Sequence, residues 1–280
     1  MLKATDIAFG YRSLAAPVLR GVSMEVPAGG FVGLLGPNGS GKTTLLRCLA
    51  GTLSPSSGRV TLDGRDLAQL SRRAVAQRMA VVPQETRLAF DFTALEVVLM
   101  GRYPHLSAFE VEGATDIAIA REALDSTGTR ELEDRAFNTL SGGEKQRVII
   151  AAALAQLHTN TGSRTPDPGS RGSSPDSILL LDEPTAALDL AYQLEVAALL
   201  RDLQQQMPIA ILVSTHDLNF AASLCRSLVL LRQGRVLAAG PTEDVLTPER
   251  IRALYGVEAD VQAHEAAGHL IVVPVRRIAP

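Results

Sequence analysis

Between residues 31 and 51 the chain carries a pattern that leaves few folds open. Phe31 to Leu35 is a short apolar run of strand character, and Lys42 to Ala50 has helical character that ends near Gly51. Gly36, Pro37, Asn38, Gly39, Ser40, Gly41, Lys42 and Thr43 join them and satisfy G-x-x-x-x-G-K-[ST]. At average residue frequencies the pattern arises by chance in about one chain per hundred of this length, and the strand-to-helix setting makes it rarer still. The spacing has a direct physical reading. Glycines let successive backbone N–H groups turn inward around a phosphate, and the helix N-terminus adds its partial positive charge. Lys42 places a point charge on the β- and γ-phosphates, and the Thr43 hydroxyl serves as a Mg²⁺ ligand.

The rest of the chain fits around that unit. Thr5 to Tyr11 and Val18 to Val26 read as strands punctuated by Pro17, Pro27, Gly29 and Gly30. Val60 to Asp63 reads as a hairpin arm, and Met79 to Val82 as a strand stopped by Pro83. From Thr93 to Leu157 the texture is helical: Leu95, Val98 and Leu99 share a face, Ile117, Ala120 and Leu124 repeat it, and Gly143 opens a third run. Ile178 to Leu181 and Ile209 to Val213 are short apolar runs suited to buried parallel strands, separated by a helical stripe at Val196, Leu199, Leu200 and Leu203. The expected fold class is α/β: a P-loop NTPase core with a mostly parallel sheet, an N-terminal antiparallel β arm and an inserted α-helical subdomain at about 93–157. The 280 residues suggest roughly two domains at ~150 each; the pattern favours one nucleotide-binding domain over 1–255 with a C-terminal extension over 256–280. Residues 158–176 hold almost no large apolar side chains, and a flexible surface loop is expected there.

Composition removes several function classes. Twenty-seven basic against thirty acidic residues leave a net charge of −3, so no nucleic-acid partner is expected. No apolar stretch reaches the ~18–20 residues of a membrane span, and Met1-Leu2-Lys3 runs straight into patterned sequence, so no signal peptide is expected. Cys48 and Cys225 lie among apolar neighbours and read as core thiols.

Two further stretches carry chemistry. The run from Ile178 to Leu181 ends in Asp182 and Glu183, one carboxylate for Mg²⁺, through water, and one to polarise an attacking water. Leu140-Ser-Gly-Gly-Glu-Lys-Gln-Arg147 sets Ser141, Gly142 and Gly143 before a helix, a hydroxyl plus free N–H groups for an anion. With the two other motifs in this order, the chain closely resembles the ATP-binding cassette (ABC) ATPases over most of residues 1 to about 255.

The resemblance implies roles residue by residue. Tyr11 matches the aromatic that stacks on adenine, and Thr44 continues the phosphate-binding run. Gln84 matches the glutamine that touches Mg²⁺ and water and links the core to the helical insertion. His216 matches the switch histidine that contacts the γ-phosphate, and Asp189 the loop that crosses to a second subunit. Glu183 would be the base, and Asp182, Thr43 and Gln84 the metal's partners. Two departures stand out: Ala186 where the family usually has Ser, and Ala152 where Arg is common. The implied mechanism is a head-to-tail homodimer in which ATP and Mg²⁺ sit between one subunit's P-loop and the other's Ser141-Gly142-Gly143. Gly101-Arg-Tyr-Pro-His105, Phe90-Asp-Phe92, Ala253-Leu-Tyr-Gly-Val257 and a strand-like tail at His269 to Val275 look like importers of iron-siderophores, haem and cobalamin. That implies polytopic permease subunits, indirectly a substrate-binding protein, and a peripheral location on the cytoplasmic face of the cell membrane. A non-transport ABC ATPase acting on ribosomes or DNA, a nucleotide-sensing module and a transporter ATPase for another cargo stand as alternatives.

Overall fold

The structure is a computed structural model that describes residues 1–13, 16–86, 88–158, 177–186 and 188–278. Its first part runs β1 (Leu2–Phe9), β2 (Leu19–Val26), β3 (Phe31–Leu35), α1 (Lys42–Leu49), β4 (Ser57–Leu62), β5 (Arg65–Asp66), α2 (Arg72–Ala76) and β6 (Met79–Val82). A helical block follows: α3 (Ala94–Leu99), a 3-10 segment at Met100–His105, α4 (Ala114–Ser126) and α5 (Gly142–Leu157). The chain then returns to strands with β7 (Ser177–Asp182), α6 (Leu190–Gln206), β8 (Ile209–Thr215), α7 (Leu218–Leu224), β9 (Ser227–Arg232) and β10 (Arg235–Pro241). It closes with α8 (Thr242–Val245), α9 (Pro248–Tyr255), β11 (Val257–His264) and β12 (His269–Arg277). The expected flexible loop at 158–176 falls, apart from His158, outside the described residues.

Six strands form the central sheet in the order β10-β9-β3-β8-β7-β6. All its pairings are parallel except that of β9 with β10. A separate antiparallel sheet, β2-β1-β4-β5, makes the N-terminal arm, and β11 with β12 makes a third, two-stranded sheet. The central strands are buried on both faces, which explains their unbroken apolar runs.

Their side chains alternate between two cores. Phe31, Leu179, Leu181, Ile209, Ile211, Leu228 and Leu230 face the helical block. Val32, Leu34, Ile178, Leu180, Leu212 and Val229 face α1 and the antiparallel arm. Cys48 and Cys225 are buried and unpaired, as expected of core thiols. Burial pushes the Cys48 thiol up to about 11 and the Cys225 thiol higher still, so both stay protonated.

The structure moves some boundaries. β1 begins at Leu2 and ends at Phe9, leaving Tyr11 beyond the strand. The tail is a hairpin of two strands where the sequence suggested one. Within the helical block Arg102 is fully buried. It pairs with Asp116 at 3.0 Å and donates to the Ala155 and His158 carbonyls at 2.6 and 2.8 Å, closing the end of α5.

Candidate nucleotide site

Adjacent parallel strands deliver their C-terminal ends to one edge, where open α/β sheets place their ligands. Read across the sheet, that edge presents the loop after β3, His216 after β8, Asp182 and Glu183 at the end of β7, and Gln84 just beyond β6. At ~4.8 Å per strand, Gln84 starts about 14 Å from the β3 end.

The loop from Gly36 to Gly41 is shaped for a phosphate. Gly39 and Gly41 have φ of 78° and 107°, the left-handed region that favours glycine. A side chain on Gly36 would strike the Leu231 carbonyl and the Ser40 hydroxyl. Gly41 caps α1 with no side-chain hydrogen bond, and the first turn of α1 has no acidic residue. Among the described residues the buried Ser40 hydroxyl has no partner, a polar atom available to a ligand. Lys42, 5% exposed, donates to the Gly36 carbonyl at 2.8 Å and pairs with Glu183 at 3.1 Å. The neighbouring Thr44 hydroxyl is buried and lies 3.4 Å from the Tyr11 hydroxyl, while the Tyr11 ring meets Phe9 edge-on.

Strand parity explains the carboxylates. Asp182 and Ser214 are register partners on β7 and β8, and the Ser214 hydroxyl donates to Asp182 at 2.5 Å. Glu183 then leaves the strand at φ 48°, an uncommon setting for a non-glycine residue and one that stores strain. Its N–H is held by the Ser214 carbonyl at 3.0 Å, and its carboxylate lies between Lys42 and His216 Nδ1, each at 3.1 Å. Ser214 was not among the residues given a role from the sequence, and Tyr255, whose hydroxyl donates to the His216 carbonyl at 3.3 Å, entered only as part of the run at 253–257. For Ser214 the signal was available, because it sits opposite Asp182 in two runs already read as parallel strands. Burial, then the negative charges of Glu183 and Asp217, push the Tyr255 phenol well up, so it stays a donor.

The Ser141 motif sits elsewhere. Ser141 caps α5: its hydroxyl accepts from the Glu144 N–H at 3.3 Å, and the Glu144 carboxylate accepts from the Ser141 N–H at 2.7 Å. This reciprocal box covers two of the four N–H groups at the helix start, those of Ser141 and Glu144, leaving those of Gly142 and Gly143. The Ser141 N–H first, with the Ser141 hydroxyl and nearby arginines, outweighs desolvation and holds the Glu144 carboxyl below its ordinary range. Gly143 is a glycine for packing reasons, since a side chain there would run into the Tyr192 ring of α6. Asp189 caps α6 by accepting from the Tyr192 N–H at 3.1 Å. Gln84 is exposed and makes no hydrogen bond among the described residues; it lines a cleft with Gly142, Gln146 and Glu183. The edge thus gathers the P-loop, Asp182, Glu183 and His216, while Ser141 and its glycines belong to the helical block.

Comparison with known proteins agrees with this geometry. The ABC transporter family profile matches residues 19–159. The hemin import ATP-binding protein HmuV of Bordetella pertussis is 45% identical over 92% of this chain and 94% of its own length. HmuV of Pseudomonas aeruginosa is 43% identical over 91% and 93%. The cobalamin import ATP-binding protein BtuD of Halobacterium salinarum is 39% identical over 92% of this chain and 60% of its own. Among solved structures, an inward-facing metal-chelate type ABC transporter matches with a TM-score of 0.80, 29% identity and coverage of 98% and 97% of the two chains.

Proposed function

This chain belongs to the ABC transporter family and is an ATP-hydrolysing transporter subunit, and from that premise we propose that it drives import of haem, cobalamin or a related iron chelate through separate permease subunits. The relatives named for hemin and cobalamin import support the cargo class. No helix among the described residues is long and apolar enough to cross a membrane, so the translocation path would belong to those permease subunits. The chain would sit peripherally on their cytoplasmic side, indirectly served by a substrate-binding protein.

For hydrolysis, the carrying observation is the contact series Lys42–Glu183–His216 along three neighbouring strand ends. The P-loop N–H groups and Lys42 bind the phosphates, which requires Lys42 to exchange the Glu183 carboxylate for phosphate oxygens. Glu183, released from Lys42, accepts a proton from the attacking water, and His216 contacts the terminal phosphate. Tyr11 stacks on the adenine. Among the described residues no three His, Cys, Asp or Glu side chains form a metal cage, and the buried Asp182, the exposed Thr43 and Gln84 are the mixed donor set that suits a nucleotide-borne Mg²⁺. That ion, when bound, neutralises charge developing on the phosphates. Ser141, Gly142 and Gly143 of a second copy would close over the nucleotide, with Asp189 near the crossing point. A bacterial ABC transporter cassette solved as a dimer, with a TM-score of 0.71, 27% identity and coverage of 86% and 99%, supports that assembly.

The test is co-purification. A tagged chain recovered from membranes solubilised in mild detergent should bring down a polytopic membrane protein; recovery with ribosomes or DNA instead would sink the transport reading.

A further inference from the structure

His216 is 52% exposed, and among the described residues its imidazole hydrogen-bonds to Glu183 alone. Its position therefore depends on the backbone of the loop after β8, and that loop is tethered from outside the central sheet at two points. Both tethers come from the C-terminal unit of α9, β11 and β12. On one side, Tyr255 is the last residue of α9, where Gly256 at φ 69° turns the chain into β11. Its hydroxyl donates to the His216 carbonyl at 3.3 Å. On the other side, Asn219 in the first turn of α7 trades two hydrogen bonds with the main chain of β12. The Val272 N–H donates to Asn219 Oδ1 at 2.7 Å, and Asn219 Nδ2 donates to the Val272 carbonyl at 3.2 Å. Between the tethers the loop is internally braced: Asp217 accepts from the Asn219 and Phe220 N–H groups, and its own N–H donates to Thr215 Oγ1.

We propose that Tyr255 and Asn219 are positioning residues for hydrolysis, through which the C-terminal hairpin unit holds His216 against Glu183. Neither touches the reacting atoms; both act through the His216 backbone. The proposal rests on the reading of His216 as a participant in hydrolysis. It gives the C-terminal unit a part in turnover without a part in nucleotide binding, because Lys42 and the P-loop lie on β3 and α1.

The test is steady-state ATP hydrolysis by the full-length chain, with the KM for ATP and the thermal midpoint measured alongside. Tyr255→Phe is expected to lower kcat about threefold to tenfold, the effect of one hydrogen bond, with KM within about twofold of wild type. Asn219→Ala should do the same, and Asn219→Asp, which keeps an acceptor for the Val272 N–H, should recover part of the rate. In a His216→Ala background, Tyr255→Phe should cost nothing further, since both act on one group. Full kcat in Tyr255→Phe while His216→Ala has lost it would overturn the proposal. So would losses that multiply in the double variant. Wild-type turnover in His216→Ala alone would remove the underlying reading of His216, and the tether with it.

Discussion

The chain contains two helix N-termini introduced by glycine-rich, anion-binding text, and they differ in where their negative charge comes from. At α1 the cap is a left-handed glycine, the first turn carries no carboxylate, and the facing charge is Glu183, brought to Lys42 from the end of β7. At α5 the charge is Glu144, three residues into the same helix and locked to Ser141 in a reciprocal box. A carboxylate borrowed from another element can be exchanged for a phosphate by a small movement. One built into the helix it caps stays there. Under the proposed function, α1 would bind the polyanion outright, whereas α5 would touch a phosphate already held, through the remaining N–H groups of Gly142 and Gly143.

The borrowed carboxylate is the most sensitive point. Glu183→Gln should lower turnover by about a hundredfold to ten-thousandfold, the range expected for losing a catalytic base, while ATP binding is kept and a nucleotide-bound dimer accumulates in gel filtration. A monomer with wild-type turnover would erase the contrast. Lys42→Ala leaves α1 without its point charge and should weaken ATP binding about tenfold to a hundredfold by titration calorimetry. If Lys145→Ala in α5 weakened binding as much, the two termini would not be distinct.

The smallest effect belongs to the built-in carboxylate. Glu144→Gln keeps an acceptor for the Ser141 N–H but removes the charge, and should tighten ATP-dependent dimerisation by about twofold to fivefold in analytical ultracentrifugation. The same variant reports on acid stability. Because the folded-state pKa of Glu144 is lowered, its contribution is present above the ordinary carboxylate range and fades as pH falls through the lowered value. Wild type and Glu144→Gln should therefore differ in thermal midpoint at neutral pH and draw together as the pH falls below the ordinary carboxylate range.

Much of this arrangement was legible in order along the chain, because the motifs are local and the buried strands read as unbroken apolar runs. Phe31–Leu35 and Met79–Val82 have the bounds that their sequence suggested. Roles that depend on a distant partner were not legible: the run at 253–257 stood out, but not that its Tyr255 meets His216 across 39 residues, nor that Tyr192 meets Gly143 across the α5–α6 interface. Strand β11 was missed although Val257, Ala259, Val261 and Ala263 alternate with polar residues, because alanine has little strand preference and the stretch runs on from a helix. The Ser141 box is legible as Ser-x-x-Glu ahead of a helix, a pattern in which helix capping and anion binding draw on the same N-terminal N–H groups.

The alternation of the central strands between two cores has a consequence for length changes. In β7, Ile178 and Leu180 belong to one core while Leu179, Leu181 and the helical block belong to the other. Deleting one residue from that strand would hand each core the other's side chains and turn Asp182 away from Ser214; deleting two would shorten the strand yet keep every survivor on its own side. The strand-end edge that carries Asp182 and Glu183 is thus sensitive to whether an insertion or deletion is odd or even before it is sensitive to what is inserted.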